Sequence, residues 1–376
     1  MKKLLVVICL FALGAAVFSG CGGAKEILIG ANYEISGAVA TFGQACRNAA
    51  QLAIDEYNAN GGLLGKQIKL IEADNKSDAA EAGNMATKLI TQDKVVLILG
   101  PVTSSNCFSA APICQDKGVP MITPTGTNPK VTTFGEYIFR ACFIDDFQGT
   151  VMANFAIDTL NINTAAVLVD NQSDYAKGLA NFFKQTFTER GGTIVAEEAF
   201  MPDDKDFRAL LTKIKAKNPG LIYEPSYYQP LGLIAKQARE LGMNMPILGG
   251  DGWDSPALIK IAGPKPLNNA FFSNHFSRDA ENPKAAKFIE DYKARFGIEP
   301  DALAALGYDA ALMALDAIER ANSTNPKKIR EALAATSGFE GVSGIITLDE
   351  NRNPTKSAVV IELKDGVQNY KMTVNP

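Results

Sequence analysis

The chain has 376 residues, of which 47% are hydrophobic, so it is long enough to form two lobes that each bury a core. With 37 basic and 41 acidic residues, its formal net charge is −4. This acidic balance argues against a nucleic acid as the partner, because a polyanion is bound by basic surfaces.

The N-terminus has the pattern of an export signal. Lys2 and Lys3 precede an apolar run over residues 4–17, which is shorter than the roughly 20 residues that a membrane-spanning helix needs. Small residues then lead to Cys21, and the whole pattern resembles a bacterial lipoprotein signal. The resemblance implies that residues 1–20 are removed and that a lipid on Cys21 anchors the protein in the cell envelope. An ordinary signal peptide cleaved nearby is the alternative, and it also predicts export to the periplasm.

Four cysteines remain in the predicted exported part: Cys46, Cys107, Cys114 and Cys142. On a helix, the seven-residue spacing of Cys107 and Cys114 separates their Cα atoms by about 10 Å, which is too far for a disulfide. We therefore predict free, buried thiols, although a pairing of Cys46 stays open. Because no cysteine or histidine spacing matches a metal-binding motif, we predict no metal and no cofactor.

The first part of the chain alternates strand and helix patterns, which predicts a parallel sheet. The predicted strands are residues 27–30, 68–72, 95–99 and 119–122, and the predicted helices are residues 44–60, 79–92 and one that opens at residues 104–106. The residues between the first strand and the first helix are predicted to form a loop. Glycines after residue 60 end the first helix, so they do not form a phosphate-binding loop.

Two polar loops follow neighbouring strands of this predicted sheet. Ser104, Ser105 and Asn106 open a helix, where hydroxyl and backbone N–H groups attract a small anion. Residues 123–129 form a second loop, rich in threonine and proline, after the next strand. Either loop alone could be an ordinary cap or turn. Because both follow the carboxyl ends of strands, we expect them to meet at a ligand-binding crevice.

The second half of the chain repeats the alternation and then adds helices and a hairpin. We predict strands at residues 164–170, 194–200, 220–223 and 246–248, and helices at residues 176–190, 206–216 and 231–241. Residues 270–274 are expected to cross back to the first lobe. Helices at residues 282–296, 302–321 and 326–335 follow, and residues 357–363 and 367–373 form a hairpin joined at Asp365-Gly366.

Five motifs in this order carry a family resemblance. They are Ile35-Ser36-Gly37 with Phe42-Gly43, Asn60-Gly61-Gly62, residues 100–105, residues 124–129, and residues 249–253. Together they resemble the extracytoplasmic substrate-binding proteins of branched-chain amino-acid ABC transporters, over essentially the whole mature chain. The resemblance implies an α/β protein with the two-lobed type I periplasmic-binding fold, in which each lobe is a mostly parallel sheet flanked by helices and the lobes are hinged around a cleft. It places lobe 1 at residues 25–143 and 274–343, and lobe 2 at residues 144–273 and 344–376.

The resemblance also implies roles for individual residues and for partners. The ligand carboxylate is assigned to Ser104 and Thr127, and the ligand ammonium to the carbonyl of Thr125 and the carboxylate of Asp251, where the family often has glutamate. The predicted cleft walls are Phe42, Val102, Tyr175, Tyr227 and Trp253. The implied function is capture of a small amino acid, branched-chain or otherwise apolar, and its delivery by a monomeric protein to a permease in the cytoplasmic membrane.

Other functions remain open at this point. A binding protein for another small carboxylate or amide, or a component that presents a ligand to a sensor, has the same fold. A hydrolase is disfavoured, because the chain has one histidine, His275, and no Gly-x-Ser-x-Gly motif. We expect His275 to be a structural residue and the protein not to be an enzyme.

Overall fold

The computed structural model describes residues 26–279 and 282–376, and the predicted signal segment with Cys21 lies outside these ranges. The first part of the chain forms five strands and three helices. They are β1 (Glu26–Tyr33), α1 (Ala40–Ala59), β2 (Gln67–Asp74), α2 (Ala79–Thr91), β3 (Leu97–Leu99), α3 (Ser104–Lys117), β4 (Met121–Thr123) and β5 (Ile138–Arg140). The strands make one parallel sheet in the order β2-β1-β3-β4-β5.

Both faces of this first sheet are covered. Alternate residues of β1 point to opposite sides, so that Ile29 packs in one apolar cluster with α1, while Leu28 packs in another with α2 and α3. This two-sided burial explains why the inner strands β3 and β4 are short and fully buried. The strand β5 was not predicted.

The middle of the chain builds a second sheet. Its elements are α4 (Asp145–Asn154), β6 (Thr164–Asp170), α5 (Asp174–Glu189), β7 (Thr193–Phe200), α6 (Arg208–Ala216), β8 (Leu221–Tyr223), α7 (Tyr228–Glu240), β9 (Ile247–Gly249), α8 (Pro256–Ala262) and β10 (Ala270–Asn274). The strand β10 pairs in parallel with β9, so residues 270–274 stay in the second sheet and do not form the return to the first lobe. The chain returns only after Asn274.

The last part of the chain contributes to both halves. Its elements are α9 (Pro283–Phe296), α10 (Ala302–Ala321), α11 (Pro326–Ala334), β11 (Phe339–Gly341), β12 (Gly344–Ile346), β13 (Ala358–Lys364) and β14 (Val367–Val374). Helix α10 packs on α1 so closely that a Cβ on Gly307 would lie 2.6 Å from the Cα of Cys46. The predicted hairpin, β13 and β14, extends the second sheet, whose order is β14-β13-β10-β9-β8-β6-β7. The ribbon of β11 and β12 was not predicted.

Helix α1 begins at Ala40, four residues earlier than predicted. The prediction treated Gly43 as part of a loop, whereas in the structure this glycine lies in the first turn against the backbone of Glu34, 2.2 Å from where its Cβ would be. Only glycine allows this approach. As a result, Phe42 projects from the first turn of α1, where its ring meets those of Tyr227 and Tyr228.

Cys46, Cys107, Cys114 and Cys142 are free and buried, as predicted. Burial raises the pKa of Cys114 and Cys142 to about 12, so these thiols are protonated at neutral pH. Among the residues that the structure describes, no helix is both long and apolar enough to cross a bilayer.

A buried polar cluster joins segments that run between the two halves. We call Asp309, Ser343 and Lys356, with the carbonyl of Ala141, the crossover cluster. The Asp309 carboxylate accepts hydrogen bonds from the N–H groups of Val342 (2.7 Å) and Ser343 (2.9 Å) and from the Ser343 hydroxyl. Lys356 donates to Ser343 Oγ and to the Ala141 carbonyl (3.3 Å).

Candidate functional site

A cavity of about 280 Å³ lies where loops from the two sheets meet. Nearly all of its wall comes from segments that follow the carboxyl ends of parallel strands, which is the expected place for a ligand in an open α/β sheet. The wall is formed by Phe42, Val102, Thr103, Ser104, Thr125, Tyr175, Tyr227, Asp251, Gly252 and Leu303. Seven of the nine predicted site residues are therefore brought together here.

The first-lobe side of the cavity is the N-terminus of α3. Ser104 is the first residue of this helix, so its N–H has no partner within the helix and carries part of the positive end of the helix dipole. Its Oγ accepts a hydrogen bond from the N–H of Asn128 (3.2 Å), and Thr125 Oγ1 donates to the carbonyl of Val102 (2.8 Å). These two bonds join the loops after β3 and β4 into one rigid, polar surface.

Glu34, which the sequence analysis missed, holds this surface from behind. Its buried carboxylate accepts hydrogen bonds from the N–H groups of Val102 (3.0 Å) and Thr103 (3.1 Å), from Thr103 Oγ1 (3.1 Å) and from Asn106 Nδ2 (2.8 Å). Burial raises the pKa of Glu34, whereas the hydrogen bonds from Thr103, Val102 and Asn106 oppose this shift. The loop before α3 is thus fixed independently of any ligand.

The second-lobe side is centred on Asp251, which starts a short 3₁₀ turn after β9. Its Oδ1 accepts the hydroxyl hydrogen of Tyr175 (2.8 Å), its Oδ2 lies 3.1 Å from Nε2 of His275, and its N–H donates to Gln148 Oε1 (2.9 Å). Gly252 N–H in turn donates to the Tyr175 hydroxyl (3.1 Å). The carboxylate is therefore held from two sides, with a free edge on the cavity.

A second buried carboxyl group, Asp145, lies behind this turn. Gln148 donates to Asp145 Oδ1 (3.2 Å) and accepts from the N–H of Asp251, so one amide bridges the two acids. Burial, and then the charge of Asp251, raises the pKa of Asp145 to about 8. At neutral pH, Asp145 is consequently mostly protonated, and Asp251 is the acid that faces the cavity.

Aromatic rings close the cavity. Tyr175 and Tyr227 stack in parallel with their ring centroids 5.2 Å apart, and Phe42 meets Tyr227 edge-on at 5.6 Å. Because Phe42 comes from the first half and the two tyrosines from the second, this contact spans the cleft. Leu303, in the first turn of α10, adds an aliphatic surface.

Two predicted site residues lie outside the cavity wall. The buried Thr127 uses its carbonyl to accept a hydrogen bond from the N–H of Asp145 (3.1 Å), which ties it to the start of α4. The indole of Trp253 is completely buried, packs near Phe272 and donates Nε1–H to the Glu224 carbonyl (3.1 Å). The structure thus corrects the prediction for Trp253, because its ring fills the core instead of the cleft.

Direct hydrogen bonds also join the two halves around the cavity. The Ser105 hydroxyl donates to Asp174 Oδ2 (3.0 Å), and Asn128 Nδ2 donates to the Asp174 carbonyl (2.9 Å). On another side, Thr41 Oγ1 and Ser255 Oγ are 3.0 Å apart. The structure is accordingly a closed form, in which both halves contact each other and surround the cavity.

Replacing Tyr175 by phenylalanine should weaken ligand binding about five- to tenfold. The change removes the hydroxyl that donates to Asp251 and accepts from Gly252. We expect this to reduce the free energy of ligand binding by about 1 kcal/mol. Calorimetric titration of the ligand measures the effect. The matched control is Tyr223→Phe, because the buried Tyr223 hydroxyl has no hydrogen-bond partner among the described residues. Equal affinities of the two variants would contradict the assigned role of Tyr175.

Comparison with known proteins points to one family. A sequence model described as "Periplasmic binding protein" matches residues 26–368. The leucine-, isoleucine-, valine-, threonine- and alanine-binding protein of Pseudomonas aeruginosa is 33% identical over 319 residues, which cover 84% of each chain. A leucine binding protein from Thermotoga maritima has 41% identity and a TM-score of 0.89, covering 93% of this chain and 99% of that one. A branched-chain amino acid transporter substrate binding protein from Streptococcus pneumoniae, solved in complex with isoleucine, has 39% identity and a TM-score of 0.90, covering 94% and 100%.

Proposed function

The chain belongs to the periplasmic binding protein family, and from that premise we propose that it captures a small apolar amino acid, of the branched-chain class, for delivery to an ABC permease. One observation carries this proposal: the cavity has a hydroxyl-bearing helix N-terminus on one side and the carboxylate of Asp251 on the other. A free amino acid presents a carboxylate and an ammonium group, and each needs a partner once water is excluded.

We propose the following orientation of the ligand. Its carboxylate lies against Ser104 and the start of α3, where hydroxyl and N–H donors converge. Its ammonium donates to Asp251 and to the carbonyl of Thr125. Its side chain lies among Phe42 and the other apolar wall residues. Thr127 is not included, because it is not part of the cavity wall.

The size of the cavity supports a small ligand. The volume of about 280 Å³ includes space that is open to solvent, so it is an upper bound on the room for a ligand. Such a volume favours a single amino acid over a peptide or an oligosaccharide. The aromatic and aliphatic wall favours an uncharged, apolar side chain over a charged one.

The mechanism that we propose is closure around the ligand. Lobe 1, residues 25–143 and 274–343, would hold the ligand carboxylate, and lobe 2, residues 144–273 and 344–376, would add Asp251 when the hinge closes. Because the ligand completes contacts with both lobes only in the closed form, it stabilises that form. The permease would then recognise the closed monomer.

We further propose a binding role without catalysis, in the cell envelope. Neither ring nitrogen of His275 is hydrogen-bonded to a serine hydroxyl in residues 26–279 and 282–376, which argues against a serine–histidine catalytic pair. The anchor proposed for the mature protein is the lipid on Cys21. Mass spectrometry of the membrane-extracted protein tests the anchor, since a diacylglycerol-modified N-terminal cysteine has a defined added mass.

A thermal-shift screen tests the proposed ligand class. Because a ligand that binds only the folded state stabilises it by about 2.7 kcal/mol at 100 times its Kd, leucine, isoleucine and valine should each raise the melting temperature by several degrees. The matched control is 4-methylpentanoate, which is leucine without its ammonium group, and it should give little or no shift. An equal shift with 4-methylpentanoate would favour a binding protein for simple carboxylates, and no shift with any amino acid would reject the proposal.

A further inference from the structure

His275, the single histidine of the chain, lies against the acid of the candidate site. It is the first residue after β10, where the chain leaves the second sheet. Its imidazole is completely shielded from solvent and stacks on Phe143, with ring centroids 3.6 Å apart and planes 27° apart. Its Nε2 is 3.1 Å from Asp251 Oδ2. The imidazole is thus held between Phe143 and Asp251, with Nε2 directed at the acid.

The surroundings of His275 indicate a neutral ring that donates. Burial lowers the pKa of His275, Asp251 and Asp254 act in the opposite direction, and Lys356 adds to the lowering. Its Nδ1 has no hydrogen-bond partner in the described part of the chain. Within residues 26–279 and 282–376, Asp251 is thus the only acceptor that the ring contacts, and this contact requires the tautomer that carries its hydrogen on Nε2.

A neutral donor has a specific advantage at this position. A cation such as arginine would neutralise Asp251 and compete with a ligand ammonium for it. A neutral N–H fixes one oxygen of the carboxylate and leaves its negative charge available. Tyr175 does the same for the other oxygen, so the two donors together determine where the free edge of Asp251 points.

We propose that His275 is a positioning residue for the ligand ammonium: as a neutral imidazole held by Phe143, it orients Asp251 without neutralising it. This inference rests on the proposed function, because it concerns the affinity of the same site for an amino acid. It assigns His275 a role in binding that goes beyond filling the core.

Two substitutions separate the donor from the ring. His275→Phe keeps an aromatic ring on Phe143 and removes the donor, whereas His275→Gln keeps a donor near the position of Nε2 and removes the ring. We expect His275→Phe to weaken L-leucine binding about tenfold or more and His275→Gln to remain within about threefold of the unmodified protein. Calorimetric titrations at pH 7.5 measure both affinities. Weaker leucine binding in His275→Phe than in His275→Gln supports the proposal, and weaker binding in His275→Gln overturns it.

A double-mutant cycle separates positioning from a general packing effect. If His275 acts through Asp251, then His275→Phe adds little to the loss that Asp251→Asn causes on its own. If the two losses are additive, His275 does not act through Asp251 and the proposal is wrong. Should the unmodified protein bind no amino acid at all, the proposed function fails first, and that result is distinct from additivity in a protein that binds leucine.

Nuclear magnetic resonance examines the contact without any substitution of His275. Because the chain has one histidine, a tag-free protein labelled with [¹⁵N]histidine gives the resonances of a single side chain. We expect the neutral tautomer with hydrogen on Nε2 at pH 7.5, and a change in the Nε2 resonance both on adding L-leucine and in Asp251→Asn. A ring with hydrogen on Nδ1, or one whose resonances ignore Asp251→Asn, would overturn the proposal.

Discussion

Asp251→Asn is expected to weaken amino-acid binding by about 2–4 kcal/mol, or roughly 30- to 1,000-fold in Kd. Asparagine has the same shape and its one oxygen can still accept the hydroxyl hydrogen of Tyr175, whereas its NH₂ group then faces His275 Nε2 and cannot accept from it. Asparagine also lacks the negative charge, so a ligand ammonium enclosed in the cavity would be without its counter-charge. Calorimetric titration of leucine into both proteins measures the loss.

The control for this substitution is Glu224→Gln. Glu224 is also a buried acid of the second lobe, and it accepts hydrogen bonds from Ser226 and Trp253. Burial raises its pKa to about 8, so it is mostly protonated at pH 7 and glutamine replaces it with little change in charge. We expect unchanged affinity in Glu224→Gln. If both variants lost affinity equally, charge at Asp251 would not explain its effect, and if neither did, Asp251 would not bind the ammonium.

The loops that form the cavity could be predicted because each follows a strand. Short apolar runs mark the buried strands, and in a parallel sheet their carboxyl ends lie at one edge. The order of strands and helices, together with the family motifs, is therefore enough to predict a shared site. Its residues are Ser104, Thr125, Tyr175 and Asp251.

The same patterns do not predict the direction in which each side chain points. Asp251 and Trp253 belong to one motif, but a 3₁₀ turn has about three residues per turn, so residues two apart point to different sides. Asp251 faces the cavity and Trp253 faces the core. Leu303 was missed for a related reason: most of α10 is buried on all sides, so no periodicity singles out the face that lines the cavity.

Contacts between segments that are distant in the chain could not be predicted from the sequence either. Glu34 supports a loop almost 70 residues away in the chain, and the bond between His275 and Asp251 joins the ends of two neighbouring strands. Hydrophobic periodicity reports which residues are buried, but not which polar groups become partners once buried. The polar supports of the site thus became visible only in three dimensions.

Asp309→Ala should lower the free energy of unfolding by about 3–5 kcal/mol, because it breaks up the crossover cluster. Asp309 and Lys356 are both buried, and this burial raises the pKa of Asp309 and lowers that of Lys356. Without Asp309, the N–H groups of Val342 and Ser343 lose their acceptor, and Lys356 remains as a buried cation with only neutral partners. Urea unfolding of the ligand-free protein, followed by fluorescence of the completely buried Trp253, measures the change.

The control lies on the same helix. Asp316 forms an ion pair with Arg320 at the surface of α10 (2.8 Å). Asp316→Ala should therefore lower the free energy of unfolding by less than about 1 kcal/mol. The double variant Asp309→Ala with Lys356→Met should be less destabilised than the sum of its single variants, since removing the cation also removes the need for its counter-charge. A loss in Asp309→Ala no larger than in Asp316→Ala would mean that the crossover segments are held by apolar packing alone. In that case, the cluster would not explain how the segments that contain Ala141, Asp309, Ser343 and Lys356 are held together.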